Sequence, residues 1–249
     1  MISEIKILIH QGKQYIPDVT TADVPGIFRG RPVISSAGAD INRLVGLCPT
    51  SAILANPLAI DMGKCTFCGE CQRQFPSVFS FTKDYKISSN TREGLIIQEG
   101  RTDPVTIRPE LVRKEIRKLY GKSLKLRQVS AGGDNSCEWE LNASGNVNFD
   151  MGRFGIEFVA SPRHADGIVI TGPVSQNMAE PLQICYDAIP HPKIIILAGT
   201  DAISGGIYAG SQSLERSFLD KYPIDLYVPG NPVHPLTFIN GILQLIRIK

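Results

Sequence analysis

The chain has 249 residues, 43% of them apolar, with 26 basic and 24 acidic side chains. That is enough apolar material for one large domain or two modest ones, and it argues against disorder. No run of about 18 apolar residues exists to cross a bilayer, and the start, MISEIKILIHQGKQ, lacks the basic and apolar regions of a secretory signal, so a cytosolic location is expected.

Ile5, Ile7 and Ile9 alternate as in a strand, ahead of a turn-rich stretch around Pro17 and Asp18. Residues 31–90 are punctuated by Gly, Pro and Cys and carry no long helical period. Such a stretch buries little apolar surface and needs another source of stability, which metal–ligand bonds supply. From Pro109 a helix is expected, with Val112, Ile116, Leu119 and Tyr120 on one face and Gly121 as its end. Residues 101–127 hold nine basic and three acidic side chains, a density suited to an anionic partner or lipid surface, or simply to a solvated helix face. Beyond it, apolar runs at 123–129, 155–160, 167–171, 194–198 and 224–228 alternate with helical segments near 174–188, 211–220 and 235–247. Strands apolar on both faces and alternating with helices predict α/β architecture, a flavodoxin-like doubly wound parallel sheet. The expected division is 1–100, a smaller α+β metal-binding domain; 101–122, a basic helical connector; and 123–249, the doubly wound domain.

Six cysteines in a cytosolic chain point to metal or redox chemistry rather than disulfides. Cys65, Cys68 and Cys71 form the first three positions of the run C-x2-C-x2-C-x3-C-P, whose fourth position is here Phe75, followed by Pro76. In two-cluster proteins that fourth cysteine serves the other cluster, so the missing ligand comes from upstream, where Cys48-Pro49 ends a second motif. Counting back from Cys48 lands on Leu44, Ile41 and Gly38, none of them a ligand. The absent cysteines (38, 41, 44, 75) belong to one cluster and the present ones (48, 65, 68, 71) to the other. This sorting predicts one [4Fe–4S] cluster; a structural zinc site and inert cysteines are the competing readings.

The segments CPTSAI and KCTFCGECQRQFP resemble bacterial-type two-cluster ferredoxins over about 60 residues, which implies a ferredoxin-like domain and a low-potential one-electron carrier. The stretch RFGIEFVASPRHADGIVITGPVSQNMAEPL, with GTDAISGG and VPGNPVHP, is similar to the 20 kDa subunit of complex I and to small subunits of membrane-bound, energy-converting [NiFe] hydrogenases and formate hydrogenlyase. The combination looks like a fusion of two neighbouring subunits of those complexes. It implies a large hydrogenase-like (complex I 49 kDa-like) partner subunit, further membrane subunits, and a place peripheral to the cell membrane, with no nucleic-acid role. It also implies a second cluster site, but the ligand positions read Asp134, Asn135, Ser136 and Cys137, then Asp201, then Asn231. One thiol with carboxylate and amide neighbours suits iron–sulfur sulfides poorly, so Cys137, Asp201 and Asn231 are expected to hold no cluster.

Cys185 reads as a small buried hydrophobe, His164 as a loop-positioning residue, and His234 as a loop residue or proton shuttle. No G-x-G-x-x-G, Walker motif or nucleophile–base–acid set is present. The resulting expectation is a non-catalytic electron-transfer subunit of an oxidoreductase; the alternative is a non-redox structural or regulatory subunit with a stabilising metal.

Overall fold

The computed structural model describes residues 2–12, 14–35 and 41–247. Its first element is a helix, α1 (Ile2–Gln11), where alternation suggests a strand. The reason lies in Ile2, Ile5, Leu8 and Ile9, which share one face of a helix; among the described residues no strand pairs with this segment to favour the extended form. A small α+β unit follows: β1 (Pro32–Ile34), α2 (Ile41–Leu47), β2 (Ile53–Leu54), β3 (Ala59–Asp61), α3 (Glu70–Gln74) and β4 (Phe79–Phe81). β1 pairs antiparallel with β4 and β2 with β3, whose other edge takes β5 (Ile96–Gln98). These strands enclose a core of their own, built on Ile34, Leu44, Ile53, Leu58, Ile60, Val78 and Phe79.

The helix expected from Pro109 is interrupted. A 3₁₀ turn, Pro109–Leu111, precedes α4 (Lys114–Leu119), and Val112 and Arg113 between them are extended. That break lets Val112 bury itself while the Arg113 guanidinium reaches the Asp225 carboxylate (3.0 and 2.9 Å) and the Lys193 carbonyl (2.6 Å).

The remainder is a five-stranded parallel sheet of β6 (Leu124–Ser130), β7 (Ile156–Phe158), β8 (Gly167–Thr171), β9 (Ile194–Ala198) and β10 (Leu226–Val228). Its order, β10-β9-β8-β6-β7, places the first strand beside the second and third, the flavodoxin-like doubly wound topology. All five expected strands are present, and β8 and β9 are buried along their whole length. Helices α5 (Ser136–Ala143), α6 (Gln176–Ala188), α7 (Thr200–Ser204), α8 (Ser217–Lys221) and α9 (Pro235–Ile246) join them. The segment expected as helix at 211–220 is mostly loop, with only α8 at its end.

The two faces of the sheet define two cores, and residues from the first half of the chain enter both. Tyr85, Ile107 and Val112 join Leu126, Val169, Ile196 and Phe238 on one side. Ile87, Leu95, Ile97 and Val105 join Ile168, Ile170, Leu182 and Leu197 on the other. Ser89 extends the sheet past β10 by exchanging two hydrogen bonds with Tyr227 (3.1 and 2.8 Å). Residues 84–112 thus form a strap wrapped around the doubly wound unit.

Candidate metal centre

Cys48 directly follows α2, and Cys65, Cys68 and Cys71 lie between β3 and the first turn of α3. Phe67 and Gly69 adopt left-handed backbone (φ 53 and 75°), which turns the loop back on itself so that its thiols line the same cavity. All four cysteines line one cavity, closed by Leu47, Pro49, Ile53, Ile60 and Phe81. Cys65 is buried, Cys48 and Cys71 are half-buried, and Cys68 is exposed. The Ala52 N–H donates to Cys48 Sγ and the Phe67 N–H to Cys65 Sγ, both at 3.3 Å. Burial pushes the Cys65 thiol far above its ordinary value, and the three other thiols add to this against the Phe67 N–H. Burial likewise pushes Cys71 up to about 11, with Cys68 and Cys48 adding. A cationic centre among the sulfurs reverses that penalty, because metal binding takes the place of the protons.

The loop is clamped from outside. The Asp61 carboxylate accepts two N–H bonds from the Arg92 guanidinium (2.7 and 2.5 Å) and one from Gly63 (2.9 Å), while the Asp61 carbonyl accepts from Lys64 and Cys65 (both 3.0 Å). Gly63 is pressed between Arg92 and Ile203, where a Cβ would come within 2.8 Å of each. The Thr200 hydroxyl donates to the Cys65 carbonyl (2.7 Å, buried), which joins the cysteine loop to the carboxyl end of β9. Asp61, Arg92 and Thr200 carry no signal in the sequence that marks them for this place.

At the positions where ligands are absent, Leu44 is fully buried and Phe75 is half-buried in the same small core, with Arg43 over its ring. Gly38 and the side chain of Ile41 lie outside the described residues.

Cys137, Asp201 and Asn231 follow the carboxyl ends of β6, β9 and β10, at one edge of the sheet. Cys137 Sγ lies against Gly199, where a Cβ would approach it to 2.6 Å. The Asp201 carboxyl is buried, its Oδ1 has no partner, and Gly206 leaves room for it. Burial pushes Asp201 up to about 6, with Asp134 and Glu138 adding and Arg216 opposing; burial also pushes Cys137 up to about 12. Glu138, unremarkable in the sequence, accepts from the Ser130 and Thr171 hydroxyls (both 2.6 Å). The donors here are one thiol among carboxyls, and among the described residues no three His, Cys, Asp or Glu side chains anywhere converge on a point as for a single metal ion.

The histidines take structural places. His234 Nδ1 accepts from the Leu236 N–H, capping α9, and its ring sits between Phe28 and Phe149. His164 is exposed in the turn before β8. Cys185 is half-buried on α6.

Residues 135–245 match the family described as NADH ubiquinone oxidoreductase, 20 Kd subunit. A NADH-quinone oxidoreductase subunit from Heliobacterium modesticaldum is 42% identical over 152 residues, covering 60% of this chain and 86% of that one. A Pyrococcus furiosus protein described as "Probable membrane-bound hydrogenase subunit mbhJ" is 33% identical over 129 residues, covering 52% and 77%. A chain of the membrane-bound sulfane sulfur reductase, an archaeal respiratory membrane complex, aligns at 32% identity over 51% of this chain and 70% of that one, with a TM-score of 0.45. With its parallel sheet, its matched segment and relatives covered over most of their length, the chain belongs to the NADH ubiquinone oxidoreductase 20 kDa subunit family.

Proposed function

We propose that this chain is an electron-transfer subunit with one [4Fe–4S] cluster, held by Cys48, Cys65, Cys68 and Cys71 in a ferredoxin-like N-terminal unit. It works within a membrane-associated oxidoreductase complex related to complex I and group 4 [NiFe] hydrogenases. The observation that carries this reading is one cavity lined by four thiols from two separate segments, two of them already receiving N–H bonds. When bound, the cluster supplies one-electron, low-potential redox chemistry. The protein's part is to hold the sulfurs, set the local dielectric and stabilise thiolate charge through the Ala52 and Phe67 amides. Apolar Leu44 and Phe75 in the small core support a single cluster, since they occupy two of the four positions a second one would use. Cys137, Asp201 and Asn231 form the degenerate site without a cluster, and the doubly wound unit acts as a docking scaffold for a large hydrogenase-like, complex I 49 kDa-like subunit.

Anaerobically purified protein is expected to be brown, with about four irons per chain and one reducible low-temperature EPR signal. Cys48→Ser should lower iron content as much as Cys68→Ser; an unchanged spectrum in Cys48→Ser removes the upstream ligand from the proposal. About eight irons would overturn the single-cluster reading. The replacement of three C-terminal ligand positions leaves no onward relay inside this chain, which favours a structural metal as the second reading. Stoichiometric zinc with no iron would establish it instead.

A further inference from the structure

The bend that carries Cys65, Cys68 and Cys71 has a cation seated on it. The Arg29 guanidinium donates to the Phe67 carbonyl at 3.2 Å and lies against Gly69, where a Cβ would come within 2.5 Å of its Nε. Gly69 is also part of the wall of the cavity that the four thiols line. We propose that Arg29 is the charge-compensating residue of this centre: its fixed positive charge favours the reduced cluster over the oxidised one and so raises the reduction potential. The inference rests on the single-cluster reading given above.

The backbone around Arg29 is pinned, which fixes where its charge sits. The Gly30 N–H donates to the Thr82 carbonyl (2.8 Å) and the Arg31 N–H to the Asp84 carbonyl (3.0 Å), while the Phe28 ring meets His234 edge-on at 5.1 Å. The Arg29 side chain is half-buried, so salt screens it less than a fully exposed cation. Its charge is also unspent. Of the other arginines at the cysteine loop, Arg92 is paired with Asp61, Arg73 with Glu70, and Arg43 lies over the Phe75 ring. Among the described residues Arg29 makes no ion pair, and Glu140, which lines a cleft with it, forms none with it. The thiolate-ligated group is then the negative charge that Arg29 faces. Each one-electron reduction adds one more negative charge there, and a nearby cation stabilises the more negative state by the larger amount. The bond to the Phe67 carbonyl adds to this, because it polarises the peptide unit whose N–H belongs to Cys68.

The test is a potentiometric titration of the anaerobically purified full chain, followed by low-temperature EPR. Arg29→Gln keeps an N–H donor for the Phe67 carbonyl and removes the charge; Arg29→Lys keeps the charge and loses the planar fork. At a fixed potential the ratio of reduced to oxidised centre in Arg29→Gln should be about tenfold below the parent's, equivalent to about 59 mV for a one-electron couple. Arg29→Lys should match the parent, and the gap between the parent and Arg29→Gln should narrow as salt rises towards about 1 M. Iron content, EPR line shape and circular dichroism should be the same in all three, which separates loss of a charge from loss of the site. A parent-like ratio in Arg29→Gln would overturn the proposal. So would an equal drop in both variants, since the shape of the bend and not the charge would then set the potential. A parent chain without iron would overturn the single-cluster reading and this inference with it, whereas four irons with an unmoved potential would strike the role of Arg29 alone.

Discussion

Asp201, in the first turn after β9, is a carboxyl buried beside other acids. A buried carboxyl with an orphaned oxygen and two acidic neighbours is held neutral more easily than charged, so its folded value of about 6 lies above the ordinary 3.8. Folding therefore favours the protonated form. The stability this group contributes is complete below about pH 4 and is lost as pH rises through about 6. Asp201→Asn should flatten that dependence and raise stability at pH 8 by about 1–2 kcal/mol, read from urea midpoints at pH 5 and pH 8. At the cysteine loop the Asp61–Arg92 pair is bidentate and half-buried. Arg92→Ala leaves the Asp61 carboxylate, only 4% exposed, without its counter-charge and should cost about 3 kcal/mol, with faster iron loss to a chelator; Arg92→Lys should recover part of it. The grouping of the four cysteines is legible in the sequence, because three of them recur at a short, fixed spacing, and the structure has all four line one cavity. Asp61 and Arg92 are not, because an ion pair across 31 residues leaves no periodic trace.

Among the elements, β8 and β9 are the most readable, since five consecutive buried residues in each leave no polar face to confuse the pattern. α1 misleads because Ile5, Ile7 and Ile9 satisfy a period of two while Ile2, Ile5, Leu8 and Ile9 satisfy a period near 3.6, and ten residues are too few to choose between them. The break between Pro109 and α4 is hidden because Val112 and Ile116 fit a helical stripe, whereas the decisive partner, Asp225, is 112 residues away. Helix α7 carries a consequence of its own. Its first residue, Thr200, donates to the Cys65 carbonyl at 2.7 Å and lies 3.3 Å from that of Gly230. Thr200→Val removes the donor and strands a buried carbonyl, so it should cost about 1–3 kcal/mol and shorten iron retention. Thr200→Ser should retain most of both, and equal loss in the two variants would mean that packing of the methyl group is what counts.

For the whole molecule, the boundary between an N-terminal unit and the doubly wound unit follows chemistry better than it follows packing. The small core around the cysteines is separate, yet Ile87, Leu95, Ile97 and Val105 complete one face of the large sheet and Tyr85, Ile107 and Val112 the other. A fragment of residues 123–249 therefore exposes both faces and should be insoluble or molten, while the full chain should unfold in one transition by circular dichroism and tryptophan fluorescence. Separable transitions would show that the strap contributes little. In its native host a tagged full chain should bring down a large subunit with membrane proteins under gentle extraction, through an interface burying over ~2,000 Å². A partner-free monomer would count against the proposed role.

Lys114, Arg117, Lys118 and Lys122, exposed on and just after α4, put four like charges within nine residues of one surface segment. A concentrated positive field of that kind draws an anionic partner in before the surfaces touch, so it acts on the speed of encounter more than on the strength of the finished contact. Added salt should therefore slow such an association more than it hastens dissociation.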